Sequence, residues 1–306
     1  MEKLLTVFTP TYNRAYCLHK CYESLCRQTS SDFLWLIIDD GSFDKTRELV
    51  QQWQNENKIE IEYYFKENGG MHTAHNTAYE HIHTKLNVCI DSDDFLTDDA
   101  VEKIIRFWNE YGNEYIGGIY ALDQYPDGSI VGKKFPEELE SFQGWGCKYI
   151  VGDNGKAYKV EGDKKFISVT SILKKYPSIP VFEGEKYYSL YYKQYFIEHD
   201  YRILLMNEPV CVVEYLEDGS SKNIFRQYLR NPKGFQHLRI LMMERAPLKR
   251  IRFMQSIHYV SSCLILKDYH LFQKSPCKFL TLVSIPCGIA LYIYTKYIYC
   301  HNVKCL

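Results

Sequence analysis

Phe33-Leu34-Trp35-Leu36-Ile37-Ile38-Asp39-Asp40-Gly41-Ser42 joins six apolar residues to an acidic turn. An unbroken apolar run of that length predicts a strand covered on both faces, as in a parallel sheet. Leu86-Asn87-Val88-Cys89-Ile90-Asp91-Ser92-Asp93-Asp94 repeats the arrangement further along. Carboxylates this close repel one another unless a cation or a ring of donors neutralises them. On an extended chain Asp91 and Asp93 point to the same side, which suits a divalent metal with oxygen ligands completed by phosphate. A turn with a helix cap, or a solvated loop, accounts for either cluster alone. Turn chemistry does not require the recurrence.

Before these runs, Leu4 to Phe8 reads as a first strand, followed by the loop Thr9-Pro10-Thr11-Tyr12-Asn13-Arg14 and a helix from Ala15 to about Gln28. After the Asp39 strand, Ser42 or Asp44 is placed to cap a helix through Trp53. Ile59 to Phe65 is a third strand, leading through Glu67-Asn68-Gly69-Gly70 into a helix from Met71 to about Ile82. A helix from Asp98 to Tyr111 follows the Asp91 strand, then a fifth strand, Ile116 to Leu122. Strands alternating with helices predict an α/β fold with a mostly parallel, helix-flanked sheet. Such sheets bind ligands outside the carboxyl ends of their strands, where both acidic clusters lie. Asp123 to about Gly162 has no readable period. Lys164 to Leu173 is ordered again, Tyr187 to Phe196 reads as a helix, and Tyr201–Leu205 and Val210–Tyr215 read as paired strands around Asn207-Glu208-Pro209.

The net charge of −1 over 306 residues gives no case for a nucleic acid partner. Its distribution is uneven: from Lys222 to Arg252 nine Lys and Arg face one acid, Glu244. Eleven cysteines show no metal-ligand spacing, and no secretory signal precedes the first strand. They are expected to be reduced thiols of a cytoplasmic protein, serving as small hydrophobes. His72, His75, His81 and His83 lack a partner at fitting spacing and are expected on a helix surface. Tyr187, Tyr188, Tyr191, Tyr192 and Tyr195 fall at helical spacing and are expected to pack. The run Phe279 to Tyr294 is near the lower length needed to span a bilayer and is broken by Pro286 and Gly288. With Lys274, Lys278 and Lys296 flanking it, an interfacial or re-entrant anchor is expected, against the alternative of a buried core helix.

Thr9-Pro10-Thr11-Tyr12-Asn13-Arg14, Ile38-Asp39-Asp40-Gly41-Ser42-x-Asp44-x-Thr46, Asn68-Gly69-Gly70 with Ala74-x-Asn76, and Asp91-Ser92-Asp93-Asp94 together resemble the family 2 glycosyltransferases. The resemblance covers roughly the first third of the chain and resumes weakly at Phe182-Glu183-Gly184-Glu185-Lys186 and at Val213 to Ser221. It implies a GT-A, Rossmann-like fold and sugar transfer from a nucleotide diphosphate donor, usually with inversion. It implies that Pro10 and Tyr12 line the base pocket and that Asp40 accepts from the uracil imide N–H. Thr9, Arg14, Asp39, Asn68, Gly69, Asp91 and Ser92 complete the implied donor set. Asp93, with Asp91 and Asp94, would hold Mn²⁺ or Mg²⁺, whose Lewis acidity stabilises the departing diphosphate.

The resemblance also implies a carboxylate base near Gly184. Glu185 is the candidate, with Glu183 as fallback, because Lys186 stands where the family commonly has an acid. The plain alternative for Glu185 is a carboxylate at a helix N-terminus. The expected organisation is a glycosyltransferase domain over 1–218, its donor half 1–122 and its acceptor half 123–218. A basic and apolar helical segment, 219–306, follows. The expected function is an inverting, metal-dependent transferase acting on a glycan or lipid-linked oligosaccharide in surface polysaccharide synthesis, peripheral on the inner face of the cell membrane. The alternative is a catalytically silent nucleotide-sugar-binding subunit. A sugar nucleotidyltransferase is disfavoured because Thr9 to Arg14 contains no glycine-rich phosphate cradle.

Overall fold

The computed structural model describes residues 3–144, 149–152, 155–214, 224–246 and 248–303. Tyr215 to Lys222, and with them the Asp218-Gly219-Ser220-Ser221 stretch and the expected 218/219 boundary, lie outside the described residues. The chain divides into two units, one of Met1–Ser178 and Lys193–Leu216, the other of Ile179–Tyr192 and Glu217–Leu306. The segment 179–192, expected in the first domain, therefore groups with the C-terminal helices.

Unit 1 runs β1 (Leu5–Thr11), α1 (Leu18–Cys26), β2 (Phe33–Asp39), α2 (Thr46–Glu56), β3 (Ile61–Phe65), α3 (Met71–His81), β4 (Leu86–Cys89), β5 (Phe95–Leu96) and α4 (Ala100–Tyr111). It continues through β6 (Ile116–Gln124), β7 (Ser141–Phe142), β8 (Tyr149–Val151), β9 (Ala157–Lys159), β10 (Lys164–Val169), α5 (Thr170–Leu173), α6 (Tyr191–Asp200, whose first two residues group with the other unit) and β11 (Arg202–Val212). Strand order in the main sheet is β3-β2-β1-β4-β10-β6-β11-β5, with β7 on β11, while β8 and β9 form a separate hairpin. β3, β2, β1 and β4 are parallel, so their carboxyl ends share one edge. β10 is antiparallel to both β4 and β6, and it comes from just past the stretch with no readable sequence period.

Alternation along β2 assigns its residues to two layers. Trp35 and Ile37 face one core with α1 and α2, where Tyr22 stacks on Trp53 at 4.3 Å. Leu36 and Ile38 face a second core with Phe8 and with Ala74 and Ala78 of α3. α1 reaches its core through Leu18, Cys21, Tyr22 and Leu25, the i, i+3, i+4, i+7 stripe of a half-buried helix.

Two expectations about unit 1 are corrected here. The segment 202–212 is one strand, not a hairpin: it pairs in parallel with β6 over Arg202 to Leu205 and again at Pro209, Cys211 and Val212, with register shifts after Arg202 and on either side of Pro209. Proline has no N–H for the ladder, and the irregularity absorbs it. His72 and His75 are buried rather than on the helix surface, because they share the inward face of α3 with Ala74 and Ala78. Burial pushes His75 down to about 3, so it is neutral near pH 7, against Tyr79 (3.0 Å) and Cys89 (3.6 Å).

Unit 2 contains α7 (Ile224–Arg230), α8 (Pro232–Arg245), α9 (Lys249–Leu266), α10 (Leu271–Lys274) and α11 (Lys278–Val303). Pro286 and Gly288 do not break α11, which continues through both. The proline costs an internal hydrogen bond on the exposed side. The glycine fits a close approach to α9: a Cβ there would lie 2.5 Å from Val260 Cγ1.

Candidate functional site

The four parallel strand ends bring the expected donor residues to one edge. Pro10 and Thr11 close β1, Asp39 closes β2, Lys66 to Gly70 follow β3, and Asp91 to Asp94 follow β4. The Asp40 N–H donates to the Thr11 carbonyl (2.8 Å), tying the first loop to the second. Ser42 strengthens the tie, since its hydroxyl accepts from the Asn13 N–H at 2.8 Å. Asn13 Oδ1 returns the contact by accepting from the Phe43 N–H at 2.9 Å. Tyr12 is exposed and meets Phe43 edge-on at 6.2 Å. Thr9 is buried, accepting from Trp35 Nε1 at 3.0 Å, so it supports the loop from within. Arg14 bonds to the Tyr16 hydroxyl. Asp44 accepts from the N–H and the hydroxyl of Thr46 (3.0 and 2.6 Å) and from the Ala15 N–H (3.1 Å), but the N-cap position of α2 is Lys45, so neither Ser42 nor Asp44 holds the expected capping place.

Asp39 and Asp40 are both buried and both committed to protein donors. Asp39 accepts from the Ser42 N–H (2.7 Å) and the Tyr63 hydroxyl (2.6 Å). Asp40 accepts from four donors: Lys66 Nζ (2.5 Å) and the Gly69 N–H (3.0 Å) on Oδ1, the Gly70 N–H (2.8 Å) and Asn68 Nδ2 (3.2 Å) on Oδ2. A carboxylate offers about four lone-pair sites, so Asp40 is saturated. Lys66 spends its other donors on the Glu67 carbonyl (2.6 Å) and Thr73 Oγ1 (2.8 Å). The loop closes further because Gly41, at φ +86°, lies so near that a Cβ would sit 2.8 Å from the Asn68 nitrogen. Both the positive φ and the close approach require glycine there.

At the end of β4 the Asp94 N–H turns back onto the Asp91 carbonyl at 3.0 Å. Ser92 and Asp94 are buried, Asp91 and Asp93 half-buried. Two residues from other strands join them. Lys165 of β10 places its ammonium 3.5 Å from Asp94, and Asp123 of β6 is buried with Oδ1 lacking a partner. Burial pushes the Asp94 carboxyl up to about 7, Lys165 opposing and Asp91, Asp93 and Asp123 adding to it. Asp91 and Asp123 are raised by burial in the same field. Burial opposes the Lys165 charge, but Cys211, Asp123, Asp94 and Asp91 hold its pKa well above the usual lysine range.

This donor set is all oxygen and carries more negative charge than one ammonium offsets, with an orphaned Asp123 oxygen beside it, so it fits a hard divalent cation. Among the described residues no three Asp, Glu, His or Cys side chains converge tightly enough to hold an ion alone. An ion here takes the rest of its shell from water or phosphate.

Glu185 lies in unit 2. Its two oxygens accept from the N–H groups of Lys233 (2.7 Å) and Gly234 (2.8 Å), in the first turn of α8. Glu183 and Lys186 are exposed; the Glu183 carbonyl accepts from Lys233 Nζ (3.1 Å), and the Lys186 N–H donates to Asn231 (2.9 Å). Tyr188, Tyr192 and Tyr195 are buried, and Tyr188 bonds to His237 at 2.8 Å; the helix expected from Tyr187 begins only at Tyr191, so Tyr187 and Tyr188 precede it and helical spacing does not account for their packing.

Sequence reasoning missed Lys66, Asp123 and Lys165. Lys66 carried a signal, a cation between a strand and the Asn68-Gly69-Gly70 turn. Lys165 carried none, because nothing in the sequence shows that β10 inserts next to β4.

The model of the family described as glycosyl transferase family 2 matches residues 6–160, just over half of the chain. A chondroitin synthase of Pasteurella multocida is 30% identical over 138 residues, 44% of this chain and 14% of that protein. The chain spans less than half the length of the curated relatives it matches. Among solved structures, S. aureus TarS 1-349 in complex with UDP-GlcNAc has a TM-score of 0.60 at 16% identity, covering 98% of this chain and 92% of that one. The mannosyltransferase PcManGT from Pyrobaculum calidifontis, in complex with GDP-Man and Mn2+, has a TM-score of 0.55 at 14% identity, covering 99% and 80%. These neighbours share the GT-A fold. With the acidic turns gathered at one strand edge and the matched segment containing all of them, the chain belongs to glycosyl transferase family 2.

Proposed function

We propose that this chain is an inverting glycosyltransferase moving a sugar from a nucleoside diphosphate donor, a UDP-sugar, to a hydroxyl of a glycan or lipid-linked oligosaccharide in surface polysaccharide synthesis. The observation that carries the reading is the meeting of Pro10 to Arg14, Asp39 to Ser42, Lys66 to Gly70 and Asp91 to Asp94 at one edge. The chondroitin synthase relative favours polysaccharide chemistry, and TarS with UDP-GlcNAc favours uridine.

In this reading the exposed Tyr12 ring and Pro10 face the base, and Asn68 and Gly69 let the backbone approach the nucleoside. Asp40 shapes that pocket through the loop it clamps, and for an imide N–H to reach it one of its four donors has to give way. Arg14 and Ser92 attend the diphosphate. Asp93 and Asp91 would hold a divalent cation, Mn²⁺ or Mg²⁺, which when bound stabilises the charge growing on the leaving diphosphate. Asp94 stays paired with Lys165. The acceptor oxygen attacks the anomeric carbon as its bond to the diphosphate breaks, and the hydroxyl proton passes to a carboxylate. Glu185 is the proposed base: two of its lone pairs hold α8, and two remain. A base in place contributes about 10²- to 10⁴-fold. The chain acts at the inner face of the cell membrane through its C-terminal segment.

The test is thermal stabilisation by UDP and by GDP, with and without Mn²⁺. A ligand of the folded state raises stability by RT ln(1 + [L]/Kd). UDP with Mn²⁺ shifts the wild type and not Asp93→Ala; no shift from either nucleotide refutes the reading. A silent nucleotide-sugar-binding subunit is the second reading, favoured by the engagement of both Glu185 oxygens. Donor turnover that vanishes in Glu185→Gln while UDP stabilisation persists dismisses it.

A further inference from the structure

The C-terminal helix α11 is polar inside and apolar outside. Among its residues 278–297, those buried are Thr281, Ser284, Gly288 and Thr295. They recur at spacings of three, four and seven, which places them on one side of the helix. The seam they form is made of small residues of α9 and α11. Gly288 admits Val260 so closely that a Cβ would overlap it, and Ser256 reaches Thr281 at 3.4 Å. Thr281 is held a second time by Ser275 at 2.6 Å. The opposite side carries Phe279, Leu282, Val283, Ile289, Ile293 and Tyr297, all exposed. A helix that packs against water does the reverse. Small and hydroxyl residues at the helix contact with large apolar ones outward is the arrangement of helices whose surroundings are hydrocarbon.

Charge identifies which hydrocarbon surface. Residues 224–303 hold twelve Lys and Arg against two acids, Glu244 and Asp268, in a chain whose net charge is −1. Lys278 at the start of α11 and Lys296 near its end are exposed and bracket the apolar face. Basic residues beside an apolar face are attracted to anionic headgroups. Orientation follows from α9. The covered half of α11 packs on a helix that itself carries Lys249, Arg250, Arg252, Gln255 and His258, so driving α11 through a bilayer would carry these into hydrocarbon. An apolar half-cylinder lying flat leaves them in water.

We propose that the outward face of α11 lies along the headgroup–acyl boundary of an anionic bilayer, its axis in the membrane plane, with the α9–α11 seam holding that face rigid. The proposal deepens, and rests on, the membrane-surface part of the function proposed above, and is independent of the donor chemistry.

The test uses the full chain and sedimentation with vesicles of phosphatidylcholine alone or with about one third phosphatidylglycerol. The expected result is binding about tenfold or more tighter to the anionic vesicles, reduced at 0.5 M salt, and reversed by alkaline carbonate. The triple substitution Leu282→Gln, Ile289→Gln and Ile293→Gln, all on the exposed face, abolishes binding while leaving stabilisation by UDP with Mn²⁺ at the wild-type value. Equal binding by this variant overturns the proposal. So does binding that resists both salt and carbonate, which is the behaviour of a spanning helix. A wild type that ignores vesicles but forms a dimer lost in the variant overturns it in favour of a second copy as the occupant. Missing UDP stabilisation in a wild type that binds vesicles refutes the donor reading and upholds this one.

Discussion

Replacing Asp40 by Asn keeps the side chain's shape and removes its charge and half of its acceptor capacity. In the wild type each oxygen takes two donors, Lys66 and Gly69 on one, Asn68 and Gly70 on the other. The amide oxygen can serve only one pair. Turned toward Lys66 it keeps the cation, and its NH₂ then faces the Gly70 N–H and the Asn68 amide, donor against donor. Asn68 has a second acceptor in the Asp40 carbonyl at 2.8 Å, so the unmet group is the Gly70 N–H. A buried donor left unmet costs about 1–3 kcal/mol, and weakening the charge-assisted bond to Lys66 adds about 1 kcal/mol. The opposite rotamer sets an NH₂ against an ammonium and is worse. Asp40→Asn is therefore expected to lose about 2–4 kcal/mol of stability. Urea unfolding followed by tryptophan fluorescence measures it, since all four tryptophans precede residue 179 and so report unit 1. A loss below about 1 kcal/mol refutes the clamp and makes Asp40 a free acceptor.

Two further outcomes follow from the buried charges. Lys165→Met removes the ammonium beside Asp94, and the carboxylates it faces then cost more to ionise. The loss of stability is expected to widen between pH 5, where Asp94 is mostly protonated, and pH 8 by about 1.4 kcal/mol, one pH unit beyond a pKa of about 7; a gap that does not widen with pH refutes it. For His75 the folded pKa is about 3, below its unfolded value, so the unfolded chain binds more protons between them. Its contribution is complete above about pH 6.5 and is lost as pH falls toward 3, at up to about 1.4 kcal/mol per pH unit. His75→Phe is expected to flatten that part of the wild-type stability profile.

The parallel half of the sheet was legible because each of its strands is a local apolar run ending in a turn of Asp, Gly or Asn. Residue order alone then puts Pro10, Asp39 and Asp91 at one edge. What local pattern could not supply is pairing between segments far apart in sequence. β10 reads as an ordered segment, but nothing in Lys164 to Val169 says that it slots between β4 and β6. Lys165 and Asp123 were therefore invisible as parts of the acidic site. Asn207-Glu208-Pro209 has the composition of a hairpin turn, and only the neighbouring β6 turns it into an irregularity within one strand. Pro286 and Gly288 read as breaks by propensity, and tertiary contact with α9 overrides that preference. Glu185 read both as a base and as a helix-end carboxylate, and the helix it meets, α8, begins more than forty residues later in sequence.

The insertion of β10 has a consequence for synthesis of the chain. When the ribosome has delivered residues 1–122, β4 carries its acidic turn but is still an open strand edge on one side. Exposed edges of this kind invite pairing with other chains. Its neighbour and the ammonium that faces Asp94 arrive together, on the same strand, only once residue 169 has emerged. Until then the nascent donor half holds clustered carboxylates without their partner. Maturation of the first four strands is thus tied to a late, long-range closure rather than to their own local order.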